Sequence, residues 1–195
     1  MSPSAKKTIK LVKGCMANER SAQEGLYKQF YTDMLRLCIR YLKTNDLAKE
    51  ALNQGFLKVF QNINSFDDKK GELNAWVATI MIRTCIDIKR KELKFTTDID
   101  EAGITENVFV SPAILDKLYA EDLIGMIRFL PDATQMVFNL SVIDGYSHKE
   151  ISEQLNITES TSRWHLSEGK KQLRVLLEPR GAGHDYPTEH KKGAR

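Results

Sequence analysis

Apolar positions in the first half of the chain recur every three or four residues. Leu26, Phe30, Met34, Leu37, Cys38 and Tyr41 form one stripe, and Ala48, Leu52, Phe56, Val59 and Phe60 form another. That spacing predicts two amphipathic helices, with Asp46 a candidate cap for the second. The stretch Ser65-Phe66-Asp67-Asp68-Lys69-Lys70-Gly71 is polar, ends in glycine and reads as a loop. Asn74 is then a plausible N-cap for a long helix running to about Leu93. Helices with a single apolar face each should pack as a compact bundle.

From Phe95 to Ser111 the period is lost, and Pro112 closes the stretch. Helical spacing resumes over Leu115 to Phe129, and Pro131 suits the first turn of a further helix through Ile143, stopped at Gly145. After Leu177 the tail holds Pro179, Gly181, Gly183 and Pro187 without apolar period, which predicts disorder. The expected architecture is all-α: a basic N-terminal tail over 1–19, a helical bundle over 20–94, an acidic flexible linker over 95–114, a helix-turn-helix domain over 115–177 and a disordered tail over 178–195.

Composition narrows the function classes. Of 195 residues 42% are apolar, enough for each half to build a core, yet no apolar run approaches the roughly 20 residues that span a bilayer. The basic N-terminus (Lys6, Lys7, Lys10, Lys13) is not followed by the apolar stretch of a secretory signal, so a cytoplasmic location is expected. Cys15, Cys38 and Cys85 are odd in number and form no C-x-x-C pair, which points away from zinc and disulfide frameworks; Cys38 and Cys85 read as small buried hydrophobes. The four histidines have no metal-ligand spacing on one element, so no metal or other cofactor is expected. Net charge is only +3, but its distribution is uneven. Arg83, Lys89, Arg90, Lys91 and Lys94 crowd one helix, Asp98, Asp100, Glu101 and Glu106 follow in a segment without a basic residue, and Arg163, Lys170, Lys171 and Arg174 restore positive charge. Two basic helical patches around an acidic connector are not an evenly solvated surface.

Ser147-His148-Lys149-Glu150 is a capping box opening a short helix that carries Ile151 and Leu155 inward. Asn156 can adopt the left-handed conformation of a tight turn, Ile157 can plug it, and Thr158 can cap a second helix with Leu166, Leu173 and Leu177 on its inner face. An ordinary helical hairpin would have the same outline. The basic second helix favours a helix-turn-helix that enters the DNA major groove.

Leu130-Pro131-Asp132, Gly145-Tyr146-Ser147-His148-Lys149-Glu150-Ile151 and Ile157-Thr158-Glu159-Ser160-Thr161 resemble domain 4 of the sigma-70 family, in particular its extracytoplasmic-function group. The resemblance implies that the second helix reads a −35 promoter element, with Glu159, Ser160, Thr161, Arg163, Trp164, Ser167, Lys170 and Lys171 as candidates. Trp164 and Glu168 depart from the small polar and the often basic residue usual there, and Trp164 could instead be a buried wedge.

The first half resembles sigma domain 2. Asp46 to Phe60 with Phe66-Asp67 looks like the segment that grips the polymerase clamp helices, implying Asp46, Glu50, Asn53, Gln54 and Lys58 as polymerase-binding; a plain solvated face is the alternative. Ala75-Trp76 with Ile80, Thr84, Cys85, Ile86 and Asp87 resembles the promoter-melting helix. Trp76, Arg83, Asp87 and Arg90 are separated by seven, four and three residues and share a face. An aromatic, basic face suits single-stranded DNA, whereas a core tryptophan beside a solvated charge stripe is the alternative. Lys69, Lys70, Asn74, Trp76, Arg83 and Arg90 are the −10 and melting candidates, with Asp87 expected to pair with Arg83 or Arg90.

What the resemblance implies is a non-enzymatic subunit that binds core RNA polymerase at its clamp helices and flap, recognises promoter DNA and is held by an anti-sigma factor. The competing reading is a helix-turn-helix regulator that acts without being a polymerase subunit. An enzyme of nucleic acid finds no Gly-rich phosphate loop and no convergent carboxylate cluster in this chain.

Overall fold

The computed structural model describes residues 3–97 and 120–177, with side chains described over 8–90 and 123–177. The expected acidic linker (Asp98, Asp100, Glu101, Glu106) and the C-terminal tail lie outside the described residues. Four helices make the first half: α1 (Pro3–Met16), α2 (Arg20–Tyr41), α3 (Asn45–Asn62) and α4 (Leu73–Thr97), with a 3-10 turn at Ile63–Ser65. The second half holds α5 (Ala120–Phe129), α6 (Asp132–Phe138), a π turn over Asn139–Ile143, α7 (His148–Leu155) and α8 (Glu159–Leu177). No strand occurs among the described residues.

Every residue of the first apolar stripe is buried, Leu26 and Cys38 completely. In the second stripe Ala48, Leu52, Phe56 and Val59 are buried and Phe60 partly so. At Gly55 a Cβ would overlap the Met81 side chain, so the absence of a side chain is what lets α3 and α4 close on each other. One apolar cluster runs through α1–α4 and continues into Met136, Val137, Leu140 and Ile151. A smaller one, Ile127, Leu130, Phe138 and Leu173, ties α5, α6 and α8.

Several elements differ from their sequence-based outlines. The segment expected to be a basic tail is helix α1, because Val12 and Cys15 find an apolar surface on the bundle that local pattern cannot reveal. Thr44 caps α3 by accepting from the Leu47 amide at 3.2 Å, leaving Asp46 in the first turn, where its charge suits the helix dipole. Helix α4 starts at Leu73, so Asn74 is its second residue and not its cap, and it runs to Thr97, past the expected end at Leu93. Pro131 stands at the N-cap of α6 just outside the helix. Leu177, expected on the inner face of α8, is 36% exposed at the helix end. Gly145 does end its helix: its φ of 76° is one that L side chains rarely adopt.

Candidate functional site

The helix-turn-helix is built by local chemistry. The Ser147 amide donates to Glu150 Oε2 at 2.8 Å and the Glu150 amide donates back to Ser147 Oγ at 3.3 Å. The Ser147 hydroxyl also donates to Glu150 Oε2 at 2.7 Å, and this bond, with that from the Ser147 amide, holds the Glu150 carboxyl below the usual carboxylate range. Asn156 takes the left-handed conformation, φ 55°, at the end of α7. The Thr161 amide then donates to Thr158 Oγ1 at 3.1 Å, capping α8. Buried contacts fix α8 on its neighbours: His148 Nδ1 lies 2.9 Å from Ser162 Oγ, and His165 Nδ1 lies 3.0 Å from Thr134 Oγ1. Burial pushes the His165 imidazole below its ordinary range.

That anchoring turns the opposite side of α8 outward. Ser160, Arg163, Trp164, Ser167, Lys170 and Lys171 are exposed, while Glu159 and Thr161 are half-buried. Trp164 is 60% exposed, so it is not a buried wedge; its ring meets His165 edge-on at 4.8 Å. Arg163 pairs with Glu159 at 2.7 Å, and Glu168 accepts from Gln172 at 2.8 Å along its own helix. The result is an exposed strip of hydroxyl, cation and aromatic groups.

On α4, Arg83, Asp87 and Arg90 are exposed, and with Ile86 and Gln154 of α7 they line one cleft. Trp76 does not line it; it is half-buried, with its ring 5.6 Å from Phe66. Lys69, Lys70 and Asn74 are exposed in and after the loop, where the Lys69 amide donates to Asp67 at 3.0 Å. Asp87 pairs with neither arginine: its partner is Lys58 of α3, at 3.1 Å, because the facing helix presents a cation at that level. Arg90 instead donates to the Gln154 carbonyl.

On α3, Asp46, Glu50 and Asn53 are exposed, and Gln54 and Lys58 are half-buried. Gln54 donates to Glu50 at 2.8 Å, and the Tyr27 hydroxyl donates to Asn53 at 3.4 Å. The same face carries Leu57, 58% exposed, which the sequence reading missed. Its signal was an apolar residue out of phase with the buried stripe, with Asn53, Gln54 and Gln61 beside it at helical spacing. A second miss is the end of α8, where Val175 and Leu176 are 66% and 48% exposed.

Comparisons with known proteins agree with this geometry. The family model described as Sigma-70 region 2 matches residues 26–94, and that described as Sigma-70, region 4 matches residues 120–173. The chain is 27% identical to the ECF RNA polymerase sigma factor SigW of Bacillus subtilis over 88% of this chain and 96% of that one. It is 26% identical to SigM of the same organism over 78% and 93%. Among solved structures, the sigma factor RpoE of Bartonella quintana, crystallised with the anti-sigma factor NepR, shares the fold with a TM-score of 0.51 and 21% identity over 79% of this chain and 97% of that one. With both sigma regions present in order, and whole-length likeness to ECF proteins, the chain belongs to the extracytoplasmic-function group of the sigma-70 family.

Proposed function

We infer that this chain is a sigma factor that binds core RNA polymerase, recognises −10 and −35 promoter elements and promotes transcription initiation. The observation that carries this is the pairing, in one chain, of an outward-facing helix-turn-helix with a second basic helix that could hold an opened strand. A free-standing regulator needs the first and has no use for the second.

Each surface has a role in this reading. The α8 strip, with Arg163, Trp164, Ser167, Lys170 and Lys171, enters the major groove at the −35 element, where cations bind phosphate and Arg163 can reach a base edge. Lys69, Lys70, Asn74, Trp76, Arg83 and Arg90 hold the opened −10 strand, cations for phosphates and an aromatic platform for a base. The α3 face of Asp46, Glu50, Asn53, Gln54 and Lys58 docks on the polymerase clamp helices. Exposed Leu57 supplies apolar area at the centre of that contact. Val175 and Leu176 offer the flap a similar apolar footing.

The chain performs no catalysis in this reading and uses no cofactor, since binding energy for the opened strand is sufficient to shift the duplex equilibrium. It works where polymerase works, in the cytoplasm, and an anti-sigma factor is its expected inhibitor. No helix among the described residues is long and apolar enough to cross a membrane. The test is reconstitution: purified chain plus core polymerase should start transcripts from a cognate promoter. Tight, specific promoter binding by the chain alone, with no effect on core, would overturn the reading in favour of a regulator.

A further inference from the structure

Trp164 differs in kind from its neighbours on α8: an indole 60% exposed on a helix face otherwise made of hydroxyls and charges. So large an apolar group contributes nothing to the fold while it stands in water. Its place is fixed from behind. Ser162 is fully buried and Leu173 nearly so, and a Cβ at Gly169 would meet Thr134 Cγ2 at 3.1 Å and Phe138 Cδ2 at 3.4 Å. Helix α8 therefore lies too close on α6 to roll about its axis. At about 100° per residue, Trp164 stands about 160° around from Ser162 and about 180° from Leu173. It occupies the outermost line of the helix.

The ring is steadied from the side as well. His165 meets it edge-on at 4.8 Å, and His165 Nδ1 lies 3.0 Å from Thr134 Oγ1 on α6. An aromatic side chain held in this way has little freedom left to lose on binding.

Its surroundings select its partner. Ser160, Thr161, Ser167 and Glu168 lie within about 60° of Trp164 around the helix axis. Arg163 and Lys170 lie together on one side, about 100° to 120° away, and Lys171 returns to the line of Trp164 only two turns later. The cations thus make a flank that suits a phosphate strand, and the indole stands off that flank. Glu168, one turn on, opposes a phosphate beside the ring, whose single polar group is one N–H donor. Stacking is closed to it too, because paired bases present edges and not faces to the groove. The apolar group that a duplex does offer in its major groove is the 5-methyl of thymine.

We propose that Trp164 is a specificity-determining residue that packs its indole on the 5-methyl group of a thymine in the −35 element. The proposal rests on the reading of α8 as the helix that enters that element. Loss of one methyl from an apolar contact weakens binding about fourfold, enough to set the preference at one position.

The experiment is a substitution cycle between protein and DNA. The probe is a fluorescent duplex bearing the −35 element that the chain with core polymerase selects from a random-sequence pool. Each thymine of the element, on either strand, is replaced singly by deoxyuridine, which removes the methyl and keeps the base-pair hydrogen bonds. Wild type should lose about fourfold in affinity at one thymine and hold its affinity at the others. Trp164→Ala, with helix content unchanged by circular dichroism, should bind the parent duplex more weakly and be indifferent to that deoxyuridine. Trp164→Phe should keep a methyl preference, and Arg163→Ala should weaken binding to both duplexes equally. Cytosine at the sensitive position should cost affinity, and 5-methylcytosine should recover part of it, because the methyl is what the indole meets. Deoxyuridine substitutions that cost wild type and Trp164→Ala the same at every thymine would overturn the proposal, as would a selected element without thymine. Selection and titrations are repeated with the chain alone, and transcription is scored separately. Transcription without a methyl preference removes the contact and leaves the sigma-factor reading intact. A methyl preference shown by the chain alone, with no transcription from core polymerase, keeps the contact and ends that reading.

Discussion

Lys58 of α3 and Asp87 of α4 are paired at 3.1 Å, so a residue of the proposed polymerase surface neutralises one on the proposed promoter face. The side chains are 40% and 53% exposed, and pairs so wet contribute about 0.2–1 kcal/mol. Asp87→Asn should therefore change unfolding free energy by less than about 1 kcal/mol in a denaturant titration. It should also leave the α4 face more cationic and strengthen oligothymidine binding at low salt. A double-mutant cycle with Lys58→Met measures the coupling directly; a coupling of several kcal/mol would show that the pair is a structural strut.

The strip on α8 predicts separable effects of neighbouring residues. Arg163→Ala should lower holoenzyme affinity for a cognate promoter by about 1–3 kcal/mol and relax preference at one base pair if it reads a base. If it touches phosphate only, the loss is smaller and the salt slope falls by about 1. Trp164→Ala should weaken promoter binding with little change in stability, since the side chain is 60% exposed. Glu168→Arg should tighten binding at low salt. Promoter titrations at several salt concentrations check all three.

Trp76 has a partner in Phe66 at 5.6 Å, and a tilted aromatic pair contributes about 0.5–1.5 kcal/mol beyond its buried area. Trp76→Ala should accordingly cost stability and also slow strand opening, whereas Arg83→Ala should affect opening alone. Permanganate reactivity of thymines near the start site reads opening, and thermal unfolding reads stability. Normal opening with both variants would remove this face from the melting step.

Acid should loosen the helix-turn-helix. Glu150 is held below its ordinary value by the Ser147 hydrogen bonds, so its folded value is lower than its unfolded one. That stability is fully present above the unfolded value, about 4.3, and is lost as pH falls through the lower folded value. Burial of His165 acts in the same direction from a higher pH: the neutral ring is favoured, so protonation below about 6.5 works against the fold. Stability measured from pH 7 to 3 should fall in both windows, and Glu150→Gln should flatten only the lower one. Ser147→Ala should cost about 0.5–2 kcal/mol at neutral pH.

The sequence by itself determined what depends on neighbours along the chain. The stripe from Leu26 to Tyr41 and the capping box of Ser147 and Glu150 were legible because helix period and cap chemistry act within a few residues. So were the left-handed Asn156 and the Thr158 cap. The all-α class and the helix-turn-helix followed from these. Tertiary structure alone decided the rest. Helix α1 exists because Val12 and Cys15 meet the bundle, and Asp87 turned to Lys58 because α3 faces it. Trp164 faces outward because His148 and His165 anchor the other side of α8. The joining of Arg40 to Asp144 spans 104 positions, and no periodicity reports which distant charge a folded chain will bring alongside. Local propensity reads off the backbone's short-range choices, whereas the pairing of helix faces is set by packing and desolvation over the whole molecule.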